Sequence, residues 1–296
     1  MRKRTRRTLF YSAVILFLLI GCGLIFFALG YKYDFVQKKF LKTGSIEFKF
    51  NSSTEVYIND ELAGETSFLG DAFSKGGLLP RTYRIRSEKK DYLPWQKLVK
   101  VEAGFLASFP KIVLIPDFFE EKIVASSSIS PITIKRFEKE GPLAIIGNKQ
   151  KTESIDLKTG EVKPIKKGEI SESALIGEVE VRYIPSPDKE KTAWFNKREV
   201  WIKWEKDASY QPFQRAGDVE FVIRLNQDVE DIQWYEDSSH LFVSTGGILK
   251  FIEIDTRGGN NIFDISDIAS PFYYSSNMDA IFKFEGNKLI KIDLSN

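Results

Sequence analysis

Thr8 to Gly30 runs for 23 positions without a charged side chain, and no other feature constrains the chain as strongly. As a helix it is roughly 34 Å long, against a hydrocarbon thickness of about 30 Å. Arg2, Lys3, Arg4, Arg6 and Arg7 stand immediately before it, and no acid lies among them. The excess of cations on one side of a span retains that side in the cytoplasm, so residues 31–296 are expected to cross. Tyr11 at one end, with Tyr31 and Tyr33 at the other, suits the aromatic belts of the membrane–water interfaces. Residues 1–7 form too short a tail to carry a signalling domain.

Two other readings of the same run stay open. A cleaved signal peptide has an apolar region of about 7–15 residues and then a small-residue cleavage site. Here the run is longer, and no convincing site follows it. Leu19-Ile20-Gly21-Cys22 resembles a lipobox, in which the cysteine is lipidated after cleavage, but Gly23 to Leu29 stays apolar where a lipoprotein turns polar. In each reading except the cleaved one the chain is held to a lipid bilayer.

The basic tail supplies +5 of a net charge of +2, leaving the rest of the chain at −3 with acids and lysines interspersed. No basic stripe points to nucleic acid. Cys22, the single cysteine, lies inside the apolar run, so no internal disulfide is available and the remainder needs a true core. With one histidine, His240, and no cysteine outside the run, a zinc site has too few ligands. Aromatics at 14% favour strands.

Residues 31–42 are short, basic and aromatic and read as a juxtamembrane spacer. From residue 43 the pattern is that of half-buried strands, with Ser45–Phe50 and Thr82–Arg86 alternating apolar and polar. Glu55–Ile58 precedes a turn at Asn59-Asp60-Glu61. A Gly-rich loop follows (Gly70, Gly76, Gly77), then strands over Lys97–Val101 and Phe105–Ile115 flank a turn at Glu102-Ala103-Gly104. Pro116 closes a small antiparallel β-sandwich, residues 43–116.

Five segments carry a resemblance across this unit: Gly44-Ser45-Ile46, Glu55-Val56-Tyr57-Ile58-Asn59-Asp60, Thr82-Tyr83-Arg84-Ile85, Asp91-Tyr92-Leu93-Pro94-Trp95 and Val99–Gly104. In order and spacing they resemble a PEGA domain, a small β-sandwich of surface-exposed prokaryotic proteins. The motif that names that family is absent, Asn51-Ser52-Ser53-Thr54 standing in its place, and Pro80-Arg81 replaces the usual Pro-Gly. The resemblance implies surface exposure and contact with envelope polymers or proteins, and no activity. Ala28–Asp34 is also similar to membrane-anchored PEGA proteins of uncultivated bacterial lineages.

Residues 117–296 repeat a strand–turn–strand–turn–strand unit. It is seen at Glu153–Val162, at Ile184–Ile202, at Asp231–Asp255 and at Phe272–Leu294. At about 45 residues per four-stranded blade, the region is predicted to hold about four blades of a β-propeller-like domain. Ser186-Pro187-Asp188 resembles the Ser-Pro-Asp-Gly turn of degenerate WD-type or Tol-associated blades, with Lys189 where the glycine stands. The fold class is therefore mainly β, with one transmembrane helix over 8–30.

Sites are few. Neighbours on a strand point to opposite faces, so Ser239 and His240 cannot pair as in a triad, which leaves Ser238-Ser239-His240 as blade sequence. Asp228, Glu230 and Asp231 precede a strand, where solvated acids are ordinary. Paired carboxylates that hydrolyse glycosides need a separation of about 5–10 Å. Asp255–Asn261 lacks the alternating acids of a calcium loop and reads as a hairpin turn. The glycines at 70–77 lack the residues of a phosphate loop. In Trp201-Ile202-Lys203-Trp204 the two indoles face opposite sides of one strand, one towards the core and one available to stack on a sugar or partner.

The sequence thus leads to a non-enzymatic, membrane-anchored envelope protein without cofactor or metal, presenting β domains to a cell-envelope polymer or protein. Two rival expectations stand beside it: an enzyme acting on envelope polysaccharide through carboxylates on the propeller face, and a scaffold of a surface or secretion assembly.

Overall fold

The computed structural model describes residues 3–67, 70–129, 132, 134–137, 143–148, 150–165 and 183–294, without the side chains of 3–5, 134, 136, 269 and 270. Arg2 lies outside the described residues. The chain divides into two compact units, Met1–Ser87 with Leu98–Ile112, and Glu88–Lys97 with Val113–Asn296.

The first unit opens with α1 (Lys3–Ala28), whose stretch Arg6–Ala28 is long and apolar enough to cross a membrane. The helix takes in the basic residues rather than starting after them. It ends where Gly30 adopts φ +80° and donates its N–H to Phe27 O at 3.0 Å, a left-handed termination that glycine accommodates. Residues 31–42 are not a plain spacer. They form an antiparallel hairpin of β1 (Tyr31–Asp34) and β2 (Lys39–Lys42). Asp34 closes it: its Oδ1 accepts the backbone N–H groups of Val36 (2.8 Å) and Gln37 (3.2 Å).

The rest of this unit is two sheets. One has the order β6 (Ala72–Leu78), β3 (Gly44–Phe50), β9 (Leu106–Ile112). The other has β5 (Glu61–Glu65), β4 (Glu55–Ile58), β7 (Thr82–Glu88), β8 (Trp95–Lys100), of which Glu88 and Trp95–Lys97 are counted with the second unit. Alternation places Ile46 and Phe48 of β3 inside, with Phe48 stacked on Phe109 of β9 at 5.5 Å. Two expectations change. The Gly-rich stretch is largely the strand β6, because Phe73 supplies a buried anchor within it. The sheets are not wholly antiparallel, since β3 runs parallel to β9, with both strands' aromatic residues sharing one face. Gly44 is required by close approach: a Cβ there would lie 2.3 Å from Glu102 O.

Among the described residues the second unit is a propeller-like succession of four four-stranded antiparallel sheets. The first is β11 (Ile134–Phe137), β12 (Leu143–Gly147), β13 (Thr152–Asp156), β14 (Val162–Pro164). The second is β15 (Ile184–Pro185), β16 (Lys191–Asn196), β17 (Glu199–Trp204), β18 (Val219–Arg224). The third is β19 (Val229–Trp234), β20 (His240–Thr245), β21 (Ile248–Glu253), β22 (Ile262–Asp267). In the fourth, β23 (Ala269–Ser275), β24 (Ala280–Glu285) and β25 (Lys288–Asp293) are completed by β10 (Glu121–Ser126), so the unit's first long strand pairs with its last.

Three apolar clusters join neighbouring sheets. Val200 and Ile202 meet Leu241 and Val243; Phe242 and Phe251 meet Phe272 and Ile281; Ala280 and Phe282 meet Ile146 and Ile155. β20 and β24 therefore feed a different core from each face, and their sequences read as near-continuous apolar runs rather than as alternation.

Candidate functional site

The second sheet buries one face and leaves the other open. On β16 and β17 the buried set is Lys191, Ala193, Val200, Ile202 and Trp204, of which Ala193, Val200 and Ile202 pack towards the third sheet. The two strands are joined by a tight turn at Lys197-Arg198 that sets Asn196 opposite Glu199, and so Trp194 opposite Trp201 on the other face. A β-bulge on β18 gives Val222 to the core and keeps Phe221 opposite Trp201.

The result is a row of four aromatic rings crossing the sheet. Tyr183 leans on Trp194 at 5.7 Å, Trp194 stands opposite Trp201, and Trp201 meets Phe221 edge-on at 5.1 Å. Tyr183 is 65% exposed and Phe221 43%, while the indoles are half-buried. Trp201 is held in place: its Nε1 donates to Glu199 Oε2 (3.2 Å), and Glu199 Oε1 is paired with Arg224 Nη2 (2.7 Å). Thr192, Asn196 and Lys203 share this face by strand parity and line the row with hydrogen-bonding groups. A fixed aromatic strip with polar flanks can stack on the C–H face of a sugar ring and bond its hydroxyls, or accept an apolar protein segment.

Trp204, the other indole of the pair, is 2% exposed, and Lys191 Nζ lies 4.7 Å above its ring. Tyr183, Trp194 and Phe221 were not singled out from the sequence. The Trp194–Trp201 pairing was accessible from the two-residue turn. The bulge that sets Phe221 has no sequence signal.

Asp228, Glu230 and Asp231 do not act together. Asp228 pairs with Arg198 (3.0 Å), Glu230 accepts the Ser244 hydroxyl (2.9 Å) and Asp231 faces the Gln233 amide (3.4 Å). His240 bonds Asp237 through Nδ1 (2.7 Å) and stacks on Phe251, while Ser238 Oγ accepts the N–H of Asp188 from the second sheet. Asp255–Asn261 is a turn in which Asp255 holds the Arg257 guanidinium, with Gly258 and Gly259 at positive φ. Among the described residues no group of three or more His, Cys, Asp or Glu side chains is placed to hold a metal.

One carboxyl near the core face does depart from ordinary behaviour. Burial pushes Glu220 up, opposed by the hydrogen bond from the Thr256 hydroxyl (3.0 Å), with Asp255 raising it further and Arg257 lowering it. These groups lie across the sheet from the aromatic row.

No protein-family model matches the sequence, and no curated protein matches it. Among solved structures the chain is similar to Kluyveromyces lactis Hsv2, at 9% identity and TM-score 0.28, over 73% of this chain and 60% of that one. It is similar to an extracellular domain from B. thetaiotaomicron at 13% identity and TM-score 0.29, over 90% of this chain and 31% of that one. It is also similar to the β-propeller domain of Myceliophteria thermophila Cps50 (Swd1), at 10% identity and TM-score 0.29, over 89% and 88%. The chain thus spans less than two thirds of the length of the first two. At these scores the likenesses carry no argument about function.

Proposed function

We propose that this is a non-enzymatic, membrane-anchored envelope protein whose propeller-like unit binds an envelope polysaccharide on the aromatic row of its second sheet. In this reading α1 is an uncleaved anchor. The cations Arg2, Lys3, Arg4, Arg6 and Arg7 hold its start in the cytoplasm, and residues 31–296 lie outside. The two-sheet unit is a PEGA-like module on the strength of the resemblance over residues 44–115. The four sheets are a four-bladed propeller completed by the β10–β25 pairing.

The observation that carries the binding role is the row Tyr183–Trp194–Trp201–Phe221, with Trp201 pre-oriented by Glu199 and Arg224. A ring already fixed loses little freedom on stacking, which favours affinity.

The test is co-sedimentation of the full chain in detergent micelles with isolated envelope polysaccharide, with the supernatant assayed for released fragments. Trp201→Ala is expected to cost about 2 kcal/mol, roughly 30-fold in Kd. Phe213→Ala, at an exposed aromatic elsewhere in the unit, is expected to leave binding unchanged. Equal binding by wild type and Trp201→Ala refutes the site. Soluble fragments in the supernatant make the protein an enzyme.

A further inference from the structure

The β1–β2 hairpin presents an apolar face that its own unit does not cover. Phe35 is 84% exposed, Val36 83%, Phe40 58% and Tyr33 36%. Tyr33 packs edge-on against Phe35 (5.0 Å) and Phe40 (5.2 Å), so the rings form one patch. Lys38 at the turn and Lys42 on the patch's own face are exposed, Lys32 and Lys39 are exposed on the hairpin's other face, and the hairpin's one acid, Asp34, is buried and turned to Arg81 at 3.4 Å.

The position of the patch follows from its contacts with α1. Phe26, in the last turn of the apolar stretch, touches Tyr31 of β1 and Phe40 of β2, each at 5.6 Å. The join is short and fixed: Thr43 donates both its N–H and its hydroxyl to Gly30 O, each at 2.8 Å. A hairpin whose rings touch the end of a membrane span lies at the level of the headgroups. There aromatic rings are favoured and lysines meet lipid phosphates.

We infer that the hairpin is an interfacial foot, its aromatic patch seated in the bilayer surface and its lysines paired with anionic phospholipid headgroups. The inference rests on reading α1 as a membrane span. The foot would hold the first unit against the bilayer instead of leaving it on a loose tether, because the hairpin is tied to that unit by Asp34–Arg81 and to the helix by Thr43–Gly30.

The test uses the full chain in bilayer nanodiscs of brominated phosphatidylcholine, alone or mixed with phosphatidylglycerol, and a thiol-linked fluorophore at one of two positions. The native Cys22 reports the span; Gln37→Cys in a Cys22→Ser background reports the tip of the hairpin. Quenching is expected at both positions. At position 37 it is expected to be stronger in the anionic mixture, to be lost with Phe35→Ser and Phe40→Ser, and to lose its dependence on anionic lipid with Lys38→Glu and Lys39→Glu. Quenching at 22 without quenching at 37 overturns the foot and leaves the anchor standing. No quenching at either position overturns the anchor and the foot together. Equal quenching at 37 in both lipids overturns the role of the lysines.

Discussion

Lys97 has no exposed side-chain surface, and a buried ammonium without a partner would cost several kcal/mol. It is met by Glu253 Oε1 at 3.2 Å and donates to Asp255 O. The other oxygen of Glu253 accepts from Asn261 (2.8 Å) and from the Trp95 indole (3.3 Å). The pair thus ties Glu88–Lys97 to β21 within the second unit. Glu253→Leu leaves the cation buried and is expected to destabilise the protein by about 3–5 kcal/mol. Adding Lys97→Met should recover part of that loss. Thermal unfolding in detergent checks the order. A double variant no more stable than the single would mean that the buried charge is not what the glutamate serves. One turn recurs in the second and third sheets of the second unit. Asp188 and Asp237 each accept the backbone N–H two positions on, at 3.0 and 2.7 Å. Each also pairs with the side chain three positions on, Lys191 at 3.5 Å and His240 at 2.7 Å. Lys189, which stands where the Ser-Pro-Asp-Gly turn has its glycine, takes φ +58°, and Ser238 takes φ +59° at the matching place after Asp237. The turn is preserved although its usual residue is not, because the aspartate bonds compensate the strain.

At the scale of elements, the strands legible in the sequence were those with one buried face. β3, β7 and β17 alternate, and tight turns mark the β4–β5 hairpin at Asn59-Asp60 and the β16–β17 hairpin at Lys197-Arg198. β5 and β6 were passed over because Gly64, Gly76 and Gly77 interrupt any period. The hairpin at 31–42 was read as a spacer because its closure depends on Asp34 accepting two backbone N–H groups, which no apolar pattern encodes. The pairing of β10 with β25 was invisible for another reason: strand partners far apart in sequence leave no local trace. That pairing gives β25 hydrogen-bonded neighbours on both sides and keeps it from being an edge. It is reinforced where Asn287 Nδ2 donates to Ser127 O (2.7 Å) and Lys283 pairs with Glu121 (2.7 Å). Amide hydrogen exchange on the full chain should therefore show Lys288–Asp293 protected as strongly as Ala280–Glu285, and more than the outer strands β18 and β22. Rapid exchange in β25 would mean that the first strand does not close the sheet in solution.

For the molecule as a whole, partly desolvated carboxyls are expected to set a dependence of stability on pH. Burial is the first cause of the rise in Glu220, in Asp279 and in Glu236; Asp279 is further raised by Asp293, and Glu236 by Asp279 and Asp237. An acid whose folded pKa exceeds its unfolded one binds its proton more tightly in the native state, so stability falls as pH rises from the ordinary carboxylate range through the raised value. Two aspartates oppose this. Asp156 is lowered chiefly by the Thr159 N–H, and Asp293 chiefly by its bond to Lys291, so their contribution is present above the ordinary aspartate value and lost as pH falls. Asp156 keeps enough of its surface in solvent for screening to keep its effect small, whereas the Asp293 side chain is 19% exposed, which makes it the one substantial opponent of three raised acids. The raised set should dominate. Unfolding temperature measured in detergent should then be highest near the ordinary carboxylate range and decline on its alkaline side. Glu220→Gln, which keeps an oxygen for Thr256 and removes the ionisation, should flatten that decline. Glu220 is the member most enclosed, between Thr256 and the core face of the second sheet, so its removal should have the largest effect of the three. A wild-type profile that rises through the same window, or a Glu220→Gln profile of unchanged slope, would show that burial of these acids does not govern the native state.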